Sequence, residues 1–133
     1  MSKKSLLQGM AHIRIFSMPQ DWKNAVAFYR DILDLSESYS DPEHGITVYE
    51  CGGDVTLGVE QVDPTDEEDS AMVGRFTGIS FRVSDMASAY ADLSKKGVAF
   101  DRPPEKMPWG GILAHFRDPA GNTLTLVQDG NDA

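Results

Sequence analysis

The sequence predicts an α+β fold in which the order strand, helix, strand, strand, strand occurs twice. Three observations predict it. Short runs alternate apolar and polar residues with a period of two, as at 12–16, 55–61, 77–83 and 112–117. Two longer stretches instead repeat apolar residues at intervals of three and four. The chain also aligns with itself. Setting residues 52–61 (GGDVTLGVEQ) over 119–128 (PAGNTLTLVQ) places Thr56 on Thr123, Leu57 on Leu124 and Gln61 on Gln128, and His12-Ile13 falls on Gly78-Ile79. The first unit spans about 9–61 and the second about 75–129, with an acidic linker over about 62–74. Neither unit can cover both faces of its own sheet, so the two are expected to pack together as one domain over residues 1–133.

The first alternating run, His-Ile-Arg-Ile-Phe at 12–16, reads as a strand. Met18-Pro19-Gln20-Asp21 breaks it, because proline has no N–H to donate, and Asp21 is placed to cap a helix. Trp22, Ala25, Val26, Tyr29, Ile32 and Leu33 then predict an amphipathic helix over 22–35. Residues 36–45 read as a loop around Asp41-Pro42, 46–51 as a strand, Gly52-Gly53-Asp54 as a turn and 55–61 as a strand. In the linker, the like charges of Asp66-Glu67-Glu68-Asp69 favour a solvated segment.

The pattern then restarts. Residues 77–83 alternate, and Ser84 or Asp85 caps a second helix that carries Met86, Ala89, Tyr90 and Leu93. Gly97 ends it after Lys95 and Lys96, whose charges suit a helix C-terminus. Residues 98–100 form a short strand and 102–108 a proline-rich connector. The closing hairpin pairs 112–117 with 123–127 around Asp118-Pro119-Ala120-Gly121-Asn122. There Pro119 presets φ, Asp118 can hydrogen-bond back to the backbone and Gly121 can take positive φ.

Composition excludes several classes of function. Lys and Arg total 12 against 21 Asp and Glu, a formal charge of −9, so the electrostatic attraction needed for nucleic acid or an anionic membrane is missing. The single cysteine, Cys51, leaves no intramolecular disulfide and suits a reducing cytoplasm. It precedes Gly52 without an activating base and reads as a small apolar residue. No apolar run approaches the roughly 18 residues of a membrane span, and no signal peptide is visible. Residues 1–9 are polar and read as a loosely docked end.

The closing hairpin also carries a resemblance. Phe116, Asp118, Pro119, Gly121, Asn122, Leu124 and Leu126 fit the form F-x-D-P-x-G-N-x-L/I-x-L, in which turn residues and strand register agree together. This hairpin resembles that of the vicinal oxygen chelate superfamily, which contains glyoxalase I, extradiol dioxygenases and bleomycin-resistance proteins. Looser similarity extends from about His12 to Gln128. The resemblance implies two βαβββ units forming open, cup-shaped mixed sheets, with helices on the outer face.

Alternation sorts the residues of such a cup. Ile13, Ile15, Val55, Leu57, Val59, Ile79, Phe81, Val83, Phe116, Leu124 and Leu126 form the apolar face beneath the helices. The opposite, concave face then carries His12, Arg14, Phe16, Thr56, Glu60, Arg82, His115, Arg117 and Thr125 among others. Of these, His12, Arg14, Phe16, Glu60, Arg82, His115 and Arg117, together with Trp109 as a rim residue between Pro108 and Gly110, are the candidate ligand-binding residues. Three guanidiniums on one face could bind a carboxylate through forked hydrogen bonds, or could pair with Glu60 and Glu50 across strands. His44 reads as exposed.

Metal-dependent members of the family hold their ion with a His on the first strand of a unit and a Glu on the last. Here His12 matches, but the other three positions are Gly58, Gly78 and Thr125. One imidazole does not hold a divalent ion. The expectation is therefore a cytoplasmic, homodimeric small-molecule-binding protein like the bleomycin-resistance proteins, without cofactor. Its ligand would be apolar or aromatic with an anionic or carbonyl oxygen. The alternative is a metal-dependent lyase, isomerase or extradiol-type dioxygenase with a shifted divalent site around His12, Glu60 and His115.

Overall fold

A computed structural model describes residues 5–130. The expected loose N-terminal end lies in part, residues 1–4, outside the described residues. The first sheet contains β1 (His12–Ser17), β2 (Ser36–Asp41), β3 (Ile46–Glu50) and β4 (Thr56–Gln61) in the order β1-β4-β3-β2. The second contains β5 (Phe76–Arg82), β6 (Ala99–Phe100), β7 (Glu105–Lys106), β8 (Ile112–Arg117) and β9 (Thr123–Gln128), in the order β5-β9-β8-β6, with β7 also on β8. In each sheet the opening strand lies parallel to the closing one and the other pairings are antiparallel. The result is a mixed α+β fold with two open sheets.

The alternating runs form strands where predicted because one side of each is apolar and can be buried. Ile15, Leu57, Val59, Phe116, Leu124 and Leu126 are buried, and Ile13, Ile79, Phe81 and Val83 pack partly buried against them. Two further segments escaped the sequence reading. β2, Ser-Glu-Ser-Tyr-Ser-Asp, is a largely exposed edge strand held by backbone pairing with β3, so it has no hydrophobic period to read. β7 is two exposed residues inside the expected connector.

The first helix also departs from expectation. α1 (Trp22–Ala27) continues as a π-helical turn over Phe28–Ile32, where the Leu33 N–H donates to Phe28 O at 3.0 Å. Apolar spacing of three and four cannot distinguish such a widened turn from an α-turn. Asp21 occupies the N-cap position, but its side chain makes no cap bond; a 3₁₀ turn over Pro19–Asp21 leads in instead. Within the linker, Asp66 accepts from the N–H groups of Glu68 and Asp69 and starts α2 (Glu67–Ser70), whose acidic first turn suits the positive end of the helix. Asp85, one of the two expected caps, accepts from Ser88 N at the start of α3 (Met86–Lys95).

The two sheets share one core. Tyr29 of the π-turn lies 6.0 Å, centre to centre, from Tyr49 of β3, and neighbouring Phe28 lies 6.2 Å from Phe116 of β8. Polar atoms entering this core find partners: Trp22 Nε1 donates to Val59 O and Tyr49 OH to Val26 O. Among the described residues, no buried side-chain nitrogen or oxygen lacks one.

The turn between β8 and β9 ties the units together. Asp118 accepts the N–H groups of Ala120 and Asn122 at 2.9 and 3.0 Å, and its other oxygen accepts Tyr29 OH at 2.7 Å. Asn122 Nδ2 donates to Phe16 O of β1 at 2.8 Å, while its Oδ1 accepts Gly74 N at 2.9 Å. Burial pushes the Asp118 carboxyl above its ordinary range against these donors. Gly121 has φ +89, and a Cβ there would come 3.6 Å from Gly74 Cα.

Two predictions arise from this turn. Gly121→Val should destabilise by roughly 1–3 kcal/mol through backbone strain, so an unchanged denaturant midpoint would contradict the turn geometry. Tyr29→Phe removes a donor that favours the ionised Asp118 carboxyl. It should cost about 1.5–3 kcal/mol at neutral pH. Because that donor lowers the pKa of Asp118 in the native protein relative to the variant, its contribution is complete above both values and disappears as pH falls through them. Melting curves of the two proteins should therefore converge on acidification, and a gap that widens would refute the assignment.

Candidate functional site

The polar face of the first sheet is assembled by the β1–β4 ladder, which sets His12 beside Thr56, Arg14 beside Gly58 and Phe16 beside Glu60. His12 Nδ1 lies 2.7 Å from Thr56 Oγ1. Its ring covers Gly58, where a Cβ would stand 2.8 Å from His12 Nε2, so glycine at 58 is what makes room for the imidazole. Arg14 grips Glu60 in a fork, with Nε to Oε2 at 2.6 Å and Nη2 to Oε1 at 3.0 Å. The guanidinium carbon also lies 5.5 Å from the Phe16 ring centre. The hydrogen bonds and charge of the Glu60 carboxylate raise the already high pKa of Arg14. His12, Arg14, Phe16 and Glu60 thus form one patch.

On the second sheet, His115 Nδ1 lies 2.8 Å from Thr125 Oγ1, and Phe76 meets the His115 ring edge-on at 5.6 Å. Phe76 was not among the residues read from the sequence. Strand register there slips between Phe76 and Ser80, with Gly78 at φ +76, so Phe76 faces Thr123 in the ladder as His12 faces Thr56. The alignment had placed Gly78 opposite His12. Two extra residues in a bulge are invisible to an ungapped comparison, although a glycine inside a strand is the available signal.

The remaining candidates are held elsewhere. Arg82 Nε binds Asp129 at 2.7 Å, and Arg117 Nε binds Asp101 at 3.3 Å. The arginine partners are thus Glu60, Asp129 and Asp101. Glu50, one of the two cross-strand acids expected, is exposed and none of these. Trp109 is 57% exposed, and its indole lies across Gly111 in the loop before β8. His44 is exposed as expected and pairs with Asp41 at 2.7 Å. Cys51 packs against the core, where burial pushes its thiol up and away from nucleophilic reactivity.

The donors can be tested against a divalent ion. Among the described residues, no three His, Cys, Asp or Glu side chains stand close enough together to hold one. His12, Glu60 and His115 therefore do not form the shifted site considered from sequence. At the three non-matching positions, the space over Gly58 is taken by His12, Gly78 offers no side chain, and the Thr125 hydroxyl is engaged by His115. The residues present do not fit the ion.

A second feature was not foreseen. A cavity of about 680 Å³ lies between the apolar sides of the two sheets, lined among others by Ile13, Val55, Leu57, Ile79, Phe81 and Leu126. Each belongs to the apolar face expected beneath the helices, and a one-dimensional pattern cannot tell whether the space under them is filled. Among the described residues no helix is long and apolar enough to cross a membrane.

Comparison with known proteins agrees with this architecture. The chain matches the family model of the Glyoxalase/Bleomycin resistance protein/Dioxygenase superfamily over residues 9–126. It is 29% identical to a member of that superfamily from Sphaerobacter thermophilus, with a TM-score of 0.78 over 94% of this chain and 100% of the other. TnmS3, an antibiotic binding protein from a Streptomyces species, is 27% identical with a TM-score of 0.74, covering 94% and 98% of the two chains. The uncharacterised Bacillus subtilis protein YraH is 27% identical over 90% of this chain and 98% of its own. With that family model matched over residues 9–126, the chain belongs to the Glyoxalase/Bleomycin resistance protein/Dioxygenase superfamily.

Proposed function

We propose that this protein binds and sequesters a small molecule, as an antibiotic-binding protein does, without a resident metal. The observation that carries this reading is the Arg14–Glu60 fork stacked on Phe16 beside His12. The two groups most able to serve a metal, His12 and Glu60, are each spent on a protein partner, Thr56 and Arg14. What remains is a hydrogen-bonding and aromatic surface, the chemistry that holds a planar ligand carrying oxygen atoms. The described antibiotic binding by TnmS3, a relative of similar length, supports the same direction.

The ligand is an aromatic or apolar molecule with carbonyl or hydroxyl oxygens. Of the two oxygen groups expected from sequence, the carbonyl is favoured, because each candidate arginine already faces a carboxylate. His12, Arg14, Phe16 and Glu60 form the first part of the site, and His115 with Phe76 the second. Arg82, Arg117 and Trp109 border it. In this reading two copies pair in the cytoplasm so that polar faces of the sheets enclose the ligand, which burial of both its sides requires.

A thermal-shift titration with the planar, quinone-bearing anthracycline doxorubicin tests the site. The wild-type melting temperature should rise with ligand concentration. Arg14→Ala should weaken binding by about 1–3 kcal/mol, while Lys95→Ala on the exposed face of α3 leaves it unchanged. Gly58→Ala should also weaken binding, because the added methyl displaces His12, yet its ligand-free melting temperature should stay close to wild type. Equal affinity in wild type, Arg14→Ala and Gly58→Ala would place the ligand elsewhere.

A further inference from the structure

The two ends of the seam between the sheets are built from different chemistry. At one end, the β8–β9 turn closes it with Asp118 and Asn122, which bond to Tyr29 of the first helix and to the β1 main chain. The equivalent turn, between β3 and β4, runs from Cys51 to Val55. In the alignment that places Thr56 on Thr123, Cys51 stands in the place of Asp118 and Val55 in that of Asn122. Counting from the buried first residues of the helices, Trp22 and Met86, Leu93 stands in the place of Tyr29. A polar latch at one end is thus an apolar trio at the other.

That trio does not close the seam. Cys51, Val55 and Leu93 all line the cavity of about 680 Å³, together with the apolar faces of both sheets. Ile13, Ile79, Phe81, Val83 and Leu93 remain only partly buried there, although they are the side chains that gain most from leaving water. The volume lies in the range of roughly 300–1,000 Å³ typical of small-molecule pockets. Both sheets and the ends of both long helices contribute walls, so the space is a recess within one chain and not a flat face offered to a folded partner.

We propose that this recess is a second binding site, distinct from the patch formed by His12, Arg14, Phe16 and Glu60, for a compact uncharged molecule with a hydrocarbon or aromatic body. Its walls offer dispersion contacts and the hydrophobic effect, with Gly52, Ser80 and Arg82 as the exposed residues along its lining. A charged group would lose its hydration against the apolar walls, and Arg82, the charged residue of the lining, is already paired with Asp129. An apolar ligand would complete the half-buried core and tie the two units together at the end where no side-chain latch exists.

The test uses N-phenyl-1-naphthylamine, an uncharged dye that fluoresces in apolar surroundings. Wild-type protein should enhance its emission saturably, with about one dye per chain, and saturating dye should slow alkylation of Cys51 by iodoacetamide several-fold. Leu93→Trp in the second unit and Val55→Phe in the first enlarge side chains that line the recess, and each should lower dye affinity by about tenfold or more, since a filled cavity offers no free wall to contact. Melting curves identify which variants are folded; Lys95→Ala, exposed on the same helix as Leu93, should bind like wild type. Dye binding that survives both filling variants in folded form would overturn the proposal. So would an absence of saturable binding to wild type. Sedimentation completes the test: if the dye binds only when the protein is diluted to monomers, a second copy occupies the recess and the proposal fails.

Discussion

The Asp118 carboxyl is the point on which the rest of this structure depends. It organises its own turn by accepting two backbone N–H groups, and it accepts the hydroxyl of Tyr29 from the helix of the other unit. Through Asn122 the same turn reaches the main chain of β1. Burying a carboxylate is costly, and Tyr29 OH, Asn122 Nδ2 and two backbone N–H groups offset part of that cost. The consequence is geometric. With Tyr29 and Phe16 O pinned to one turn, the spacing between the two sheets is set at that end, and Phe28 is held against Phe116.

Closure at one end leaves the other free to differ. A sequence in which the strand–helix–strand–strand–strand order occurs twice could place the same latch at both ends. Here Cys51, Val55 and Leu93 take those places, and a recess follows. Stability concentrated in one buried polar cluster allows the opposite end to remain underpacked, as a pocket between two rigid elements must be. The polar sheet faces follow a different rule: their charges are neutralised pairwise at the surface. Exposed pairs such as Arg82–Asp129 contribute little to stability, whereas the better-shielded Arg14–Glu60 fork fixes the orientation of the groups that a ligand would meet.

Most of the fold was legible because it rests on periodicity and turn chemistry. Alternating apolar residues found the strands that bury one face, and Asp118-Pro119-Ala120-Gly121-Asn122 identified the closing hairpin, including the positive φ of Gly121. β2 was missed because an exposed edge strand has no apolar face, and the π-turn because its apolar spacing imitates an α-helix. For the candidate site, the face of each residue was legible but its partner was not. Arg82 and Arg117 share their side of the sheet with His115, as alternation requires, yet they bind Asp129 and Asp101, which lie just outside the strands that were read. Phe76 reached its place beside His115 through a bulge at Gly78 that no ungapped alignment contains.

On the proposed reading, the imidazole and carboxylate of the first sheet serve a ligand-binding surface and not a metal. Elemental analysis by mass spectrometry of protein purified without chelator, then dialysed against zinc, manganese, iron or nickel, tests it directly. Bound metal should remain far below one ion per chain and should be unchanged by His12→Ala. An ion held at one per chain, lost on His12→Ala or Glu60→Gln, would mean that the Arg14–Glu60 fork opens to admit it. This face would then be a metal site and not a metal-free binding surface.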